Sequence, residues 1–277
     1  MKDISIAQLK EIARDLRKKA VTMVYKAQSG HPGGSLSAAD FVAAAYFREM
    51  NIDPKNPQWE DRDRFVLSKG HVCPIQYSAL ATLGYFDLEV LDTLRKEDSI
   101  LQGHPDMKKC PGIDISTGSL GQGLACGAGM AISAKMDSKQ FRVFVVVGDG
   151  ECQEGEIWEA AQVANKYQLD NLVVFVDNNN LQIDGTCDEV MPNINLGKKF
   201  EAFGFEVFEI DGNDMDQVVE ALDKSRENKN GKPKCIFAHT VKGKGVSYME
   251  NSCAWHGIAP NDEEYRIAMA DLDGGNL

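Results

Sequence analysis

The chain has 277 residues, 43% hydrophobic and 26% charged, which suits a water-soluble globular protein. Its formal net charge of -12 argues against nucleic acid or anionic lipid as a partner. No apolar run approaches the roughly 18 residues a membrane-spanning helix requires, and the N-terminal segment lacks the apolar core of a secretory signal.

In chain order, residues 5–28 read as an amphipathic helix that stops at Ser29-Gly30-His31-Pro32-Gly33-Gly34. Ser35 or Ser37 is expected to cap a second helix near 36–50. Asn51 to Asp63 is polar and carries two prolines, so a loop is expected. A short strand is predicted at Phe65–Ser68, followed by Lys69-Gly70-His71 and by helices at 74–84 and 87–96. Gly103 to Gly118 is rich in turn residues, and Gly121 to Met136 reads as a helix of small residues. Val143–Val147 is an unbroken β-branched and aromatic run, residues 155–168 read as helix, and Leu172–Val176 is a second apolar run. Strand–helix–strand at that spacing makes the two strands parallel. Runs at Val207–Ile210 and Cys235–His239, separated by a helix near 214–227, extend the pattern. The expected fold is α/β: a doubly wound, mostly parallel sheet flanked by helices. With no repeat, low-complexity tract or composition break, residues 1–277 read as a single domain.

The seven cysteines are scattered, odd in number and never spaced C-x-x-C. That argues against a disulfide framework or a zinc site and favours a reducing, cytoplasmic setting.

The informative stretch is Gly148-Asp149-Gly150, at the mouth of the first apolar run, with Asp177-Asn178-Asn179-Asn180 at the mouth of the next. In a doubly wound sheet, ligands bind outside the carboxyl ends of the strands. Three readings compete. Gly, Asp and Asn are ordinary turn residues. A dinucleotide site would use Gly148-x-Gly150 with Asp177 as the ribose acid, although the glycine spacing G-x-G-x-x-x-x-G is not G-x-G-x-x-G and Asp149 would face the pyrophosphate. The third reading makes Asp149 a ligand of a divalent cation, Mg²⁺ or Ca²⁺, that bridges to a diphosphate and removes the repulsion. Gly150 would then let its N–H approach a phosphate oxygen, supported by the following helix N-terminus.

G-D-G followed some thirty residues later by an Asn pair resembles the thiamine-diphosphate signature, here spanning Gly148 to Asn179. The rest of the chain resembles the N-terminal, diphosphate-binding (PP) domain of transketolase. The matching stretches are SGHPGGSLSAAD (29–40), DRFVLSKGH (63–71), QGHP (102–105), STGSLGQGL (116–124), VGDGECQEGEIWEA (147–160), DNNNLQIDG (177–185) and the late His256-Gly257. The resemblance implies Asp149, the Asn179 side chain and the Leu181 carbonyl as metal ligands. It implies contacts from Gly150, His71 and His256 to the diphosphate of thiamine diphosphate, and places Gly118 and Leu120 along the cofactor rings. Glu154 and Glu159 match acids near a subunit interface that couples paired active sites, Glu154 being also counted with the cofactor-binding residues. His31, His71, His104 and His256 match the active-site histidines, and neutral imidazole suits ketose chemistry near pH 7. A lone histidine is more often structural, and His239, in a predicted strand, is left as such. Lys242 and Lys244, in TVKGKG, either reach a phosphate or sit in an exposed loop. No cysteine qualifies as a nucleophile.

The activity so implied is transfer of a two-carbon ketol unit from a ketose phosphate to an aldose phosphate, as in the pentose phosphate pathway. In the family a second domain supplies the acid that meets the aminopyrimidine and the groups that grip the sugar phosphate. The sequence ends at Leu277, without room for a further domain of about 150 residues. The expectation is therefore the N-terminal subunit of a split transketolase, paired with a C-terminal, pyrimidine-binding subunit in a heterotetramer and self-associating through the diphosphate domain. The alternatives are a chain of a related thiamine-diphosphate enzyme that takes another sugar, a sulfonate or a small aldehyde, an NAD-dependent oxidoreductase, and a non-catalytic homologue.

Overall fold

A computed structural model describes residues 3–274. Its centre is a five-stranded sheet of β1 (Arg64–Leu67), β2 (Val143–Gly148), β3 (Leu172–Asn178), β4 (Glu206–Asp211) and β5 (Lys234–His239). The strands are all parallel and lie in the order β1-β2-β3-β5-β4.

Successive side chains of a strand point to opposite faces, and both faces of this sheet are covered. From β2, Phe144 and Val146 enter one core, with α1 (Ile6–Ala27), α3 (Ala39–Ala44), α4 (Cys73–Leu83) and α9 (Met215–Glu227). Val143, Val145 and Val147 enter the other, with α5 (Gln122–Met136), α6 (Gly155–Lys166) and α8 (Leu196–Ala202). Double coverage is why these strands read as unbroken apolar runs and not as alternating ones. The doubly wound α/β expectation holds.

Helix α1 starts from a capping box that the sequence reading did not name. Ser5 Oγ accepts from the Gln8 N–H at 3.2 Å, and Gln8 Oε1 accepts from the Ser5 N–H at 2.9 Å. The second helix departs from expectation. It begins earlier, as α2 (Pro32–Ser37), with His31 at the N-cap and Pro32 opening the first turn. It breaks at Ala38, resumes as α3 and ends in a π-turn at Ala45–Glu49. Neither serine caps it. Ser35 Oγ donates back to the His31 carbonyl at 2.8 Å, and Ser37 Oγ donates to Asp177 Oδ2 at 2.6 Å. The segment predicted as helix at 87–96 is a 3₁₀ stretch, Leu88–Thr93. Three elements escaped the sequence reading: α7 (Cys187–Val190), α8 and α10 (Asp262–Gly274).

A buried ion pair ties α1 to α3. Arg17 donates to both carboxylate oxygens of Asp40, and its Nε donates to the Leu36 carbonyl at 3.1 Å. Phe41 stacks on Phe175 with ring centroids 4.1 Å apart, fixing α3 against β3 above the sheet end that carries the site.

Candidate functional site

The carboxyl ends of β2 and β3 open into a cavity of about 370 Å³. The site residues that the family resemblance implies all line it except His104 and Glu159. A larger open groove of about 710 Å³ lies at the amino ends of β1 and β2, but it is walled by paired charges such as Glu49 and Arg142 and holds none of them.

Asp149 is buried at the floor, 3% exposed. Its Oδ1 accepts from the Gly150 N–H at 2.8 Å, and its Oδ2 accepts from the Asn180 N–H. Burial, and then the nearby charge of Asp177, push its pKa up to about 6. The Gly150 N–H was expected to face a phosphate; here it is turned to the neighbouring carboxylate. The chain after Gly150 makes only a 3₁₀ turn, Glu151–Gln153, before α6 begins at Gly155. Asn179 Oδ1 accepts from the Leu181 N–H at 3.1 Å. The Leu181 carbonyl faces Lys242, whose Nζ donates to it at 3.1 Å.

Three imidazoles form a triangle over this floor. Ring centroids are 5.0 Å apart for His31 and His71, 5.4 Å for His31 and His256, and 5.2 Å for His71 and His256. Burial first, and neighbouring cations second, hold all three neutral. His31 is lowered to about 4 with Arg95 beside it, and His256 to about 3 with Lys242 beside it. His71 lies well below its ordinary value, with Lys69 beside it. His104 stands outside the cavity wall and is exposed. Its ring packs on Gly118, whose φ of +144° and contact distance leave no room for a side chain: a Cβ would stand 2.8 Å from His104 Cδ2.

Glu154 is exposed at the rim, and Glu159 is exposed on α6 away from the cavity. The two lysines of TVKGKG part company. Lys242 is buried in the cavity wall, while Lys244 lies outside it, 3.9 Å from Glu250. His239 is also outside, 2.8 Å from Glu209.

Sequence reasoning missed Lys69 and Glu151, and it weighed Asp177 only as the ribose acid of a dinucleotide site. Asp177 is fully buried and accepts from Lys69, Ser37 and Thr240. Its oxygens are thus committed, which removes the ribose acid that a dinucleotide site requires. Lys69 lines the cavity two residues before His71 and was legible only as part of S-K-G-H. Glu151 accepts from the Gly121 N–H at 2.9 Å, the Gly148 N–H at 3.0 Å and Ser68 Oγ.

The donor set suits a hard divalent cation and a diphosphate. Asp149 is a buried carboxylate beside the second acid Asp177, and the Leu181 carbonyl accepts from the Lys242 ammonium. Among the described residues no group of three or more His, Cys, Asp or Glu could hold a metal. A set of one carboxylate, one amide and one carbonyl has no need of such a group. Lys69, Lys242 and three neutral imidazoles offer donors to phosphate oxygens.

Residues 8–273 match the family described as transketolase, thiamine diphosphate binding domain. The chain is 44% identical over 265 residues to 6-deoxy-6-sulfo-D-fructose transketolase subunit SqwG of Clostridium sp. (strain MSTE9), covering 96% of each. It is 45% identical over 256 residues to a subunit of the apulose-4-phosphate transketolase of Phocaeicola vulgatus, covering 92% of this chain and 90% of that one. Transketolase from Campylobacter jejuni superposes with a TM-score of 0.91 at 35% identity, over 100% of this chain and 44% of that chain. The chain therefore spans less than half of the long transketolases it matches and nearly all of the named subunits.

Proposed function

The chain belongs to the transketolase family of ketol-transferring enzymes, and from that premise we propose that it is the diphosphate-binding subunit of a two-chain, Mg²⁺-dependent transketolase. The observation that carries the proposal is one cavity uniting Asp149, Asn179 and the Leu181 carbonyl with three neutral histidines.

Thiamine diphosphate, when bound, supplies the electron sink that lets the carbon–carbon bond beside a ketose carbonyl break. The chain's own groups do the rest. Asp149, the Asn179 amide and the Leu181 carbonyl would hold the cation. Lys69 and Lys242 would offset the charge of the diphosphate, and the neutral rings of His71 and His256 would donate hydrogen bonds to it. Gly118 and Leu120 flank the cofactor rings. His31, His71, His104 and His256 bind sugar hydroxyls and the carbonyl, and their neutral rings donate or accept a proton near pH 7.

The partner is proposed as a C-terminal, pyrimidine-binding chain in a two-plus-two heterotetramer. The relatives matched nearly end to end are named subunits, while Mus musculus transketolase is matched over only 39% of its length. Glu154 and Glu159 are exposed here and available to an interface between diphosphate-binding chains. Residues 1–277 are taken as one domain. Seven free cysteines favour the cytoplasm, and among the described residues no helix is long and apolar enough to cross a membrane.

The proposed reaction is ketol transfer from a ketose phosphate to an aldose phosphate, as in the pentose phosphate pathway. A second reading, favoured by relatives named for a sulfofructose and for apulose-4-phosphate, is the same transfer on another sugar. The test is reconstitution with the candidate partner, thiamine diphosphate and Mg²⁺. Ketol transfer by the pair and none by the single chain is expected; full turnover by the single chain would refute the split enzyme.

A further inference from the structure

Lys242 lies in the loop that follows β5 and is 2% exposed. Its stem is seated on the first turn of α2. A Cβ at Gly33 would stand 3.1 Å from Lys242 Cγ and 2.8 Å from the Trp255 carbonyl oxygen, so a residue without a side chain lets both approach. The backbone is tied at the same place. The Gly243 N–H donates to the Gly33 carbonyl at 3.0 Å, and the Asn251 N–H donates to the Lys242 carbonyl at 2.9 Å. The ammonium therefore arrives at a fixed point, where it meets two uncharged groups. Nζ donates to the Leu181 carbonyl at 3.1 Å and lies 2.8 Å from His256 Nδ1.

An ammonium has three N–H donors and no lone pair, so His256 Nδ1 can only accept from it. A ring nitrogen that accepts carries no proton. The neutral ring then holds its proton on Nε2, the nitrogen left over for the cavity that His256 lines. That choice matters for an anionic ligand. A phosphate oxygen accepts and does not donate, so Nε2–H attracts it and a bare Nε2 would repel it. Lys69 cannot take over this task, because it is committed to Asp177. We infer that Lys242 is a positioning residue, which fixes His256 as the Nε2–H tautomer so that a donor and not a lone pair meets the diphosphate. This role is separate from the charge that Lys242 brings to the cavity. It rests on the thiamine-diphosphate reading above and deepens it at one nitrogen.

The first measurement is nitrogen NMR of the histidine-labelled full chain at neutral pH, with the His256 signals assigned by their loss in His256→Ala. The wild type should show one form, with the proton on Nε2 and Nδ1 accepting. Lys242→Met keeps the stem and removes the donor, so both tautomers should appear. Lys242→Arg, which also only donates, should restore the single form. A proton on Nδ1 in the wild type, or ring signals unchanged in Lys242→Met, overturns the inference. The second measurement is the thiamine diphosphate affinity of the reconstituted pair, by calorimetry with Mg²⁺. Lys242→Met should weaken it about tenfold to a hundredfold, the weight of a hydrogen bond to a charged group. If the lysine acts through the ring, that loss should shrink in a His256→Ala background. An equal loss in both backgrounds would leave Lys242 only its charge and overturn the positioning role. Absence of cofactor binding by the wild-type pair would instead overturn the thiamine-diphosphate reading, while the ring signals would still decide the tautomer.

Discussion

Gly148 and Asp177 face each other in register at the carboxyl ends of β2 and β3. The loops that carry Asp149 and Asn179 therefore leave the sheet at one level, a strand spacing of about 4.8 Å apart. That brings a carboxylate and an amide from residues thirty apart to the wall of one cavity. Asp149→Ala should abolish Mg²⁺-dependent binding of thiamine diphosphate, read by calorimetric titration with and without the metal. Equal affinity in the variant and the wild type would remove Asp149 from the ligand set.

Asp177 is worth more to stability than its place in a loop signature suggests. It is fully buried and pairs with Lys69, itself 3% exposed. Removing one partner of a buried pair leaves the other charge uncompensated, at a cost of about 3–5 kcal/mol. Asp177→Ala should lose stability on that scale in urea unfolding. A loss below about 1 kcal/mol would mean that solvent or a neighbour satisfies Lys69 without Asp177.

The histidine cluster predicts a pH signature. A base whose folded pKa lies below its unfolded value favours the neutral form in the fold. His31, at about 4, and His256, at about 3, thus contribute stability that is fully present above about 6.5 and lost as pH falls toward those values. Asp149, raised to about 6, acts in the opposite sense: its penalty grows as pH rises through that value. A global midpoint mixes the two, so the sharper measurement is imidazole NMR. The ring resonances of His31, His71 and His256 should remain those of neutral imidazole at pH 5.5 to 6 (about one pH unit below the ordinary midpoint). A midpoint near 6.5 for any of them would show that its ring is solvated, contrary to the packing seen here.

Much of this architecture was legible in the sequence because burial on both sheet faces writes itself as apolar runs. Val143–Val147 and Leu172–Val176 were read correctly for that reason, and the strand ends then located Asp149 and Asn179. Helix α2 was misplaced because the serines that resemble caps spend their hydroxyls on His31 and Asp177. Helices α8 and α10 follow loops whose ends carry no apolar strand to frame them. Lys69 was hidden for another reason. A buried lysine is recognisable only through its partner, and Asp177 lies 108 residues away in sequence.

Glu151 gives the last prediction, since its one carboxylate joins three segments at the floor of the cavity. One oxygen accepts from the Gly121 N–H at the start of α5 and from Ser68 Oγ at the end of β1. The other accepts from the Gly148 N–H at the end of β2. The walls bearing His71, Leu120 and Asp149 are thus held by one buried carboxylate. Glu151→Gln keeps the shape, but its NH₂ cannot accept, so at least one of these donors is left unpaired. A buried unpaired donor costs about 1–3 kcal/mol, and unfolding should show a loss in that range. Cofactor affinity should fall as well, because the three walls lose their common anchor. Full affinity with reduced stability would make Glu151 a brace of the fold alone.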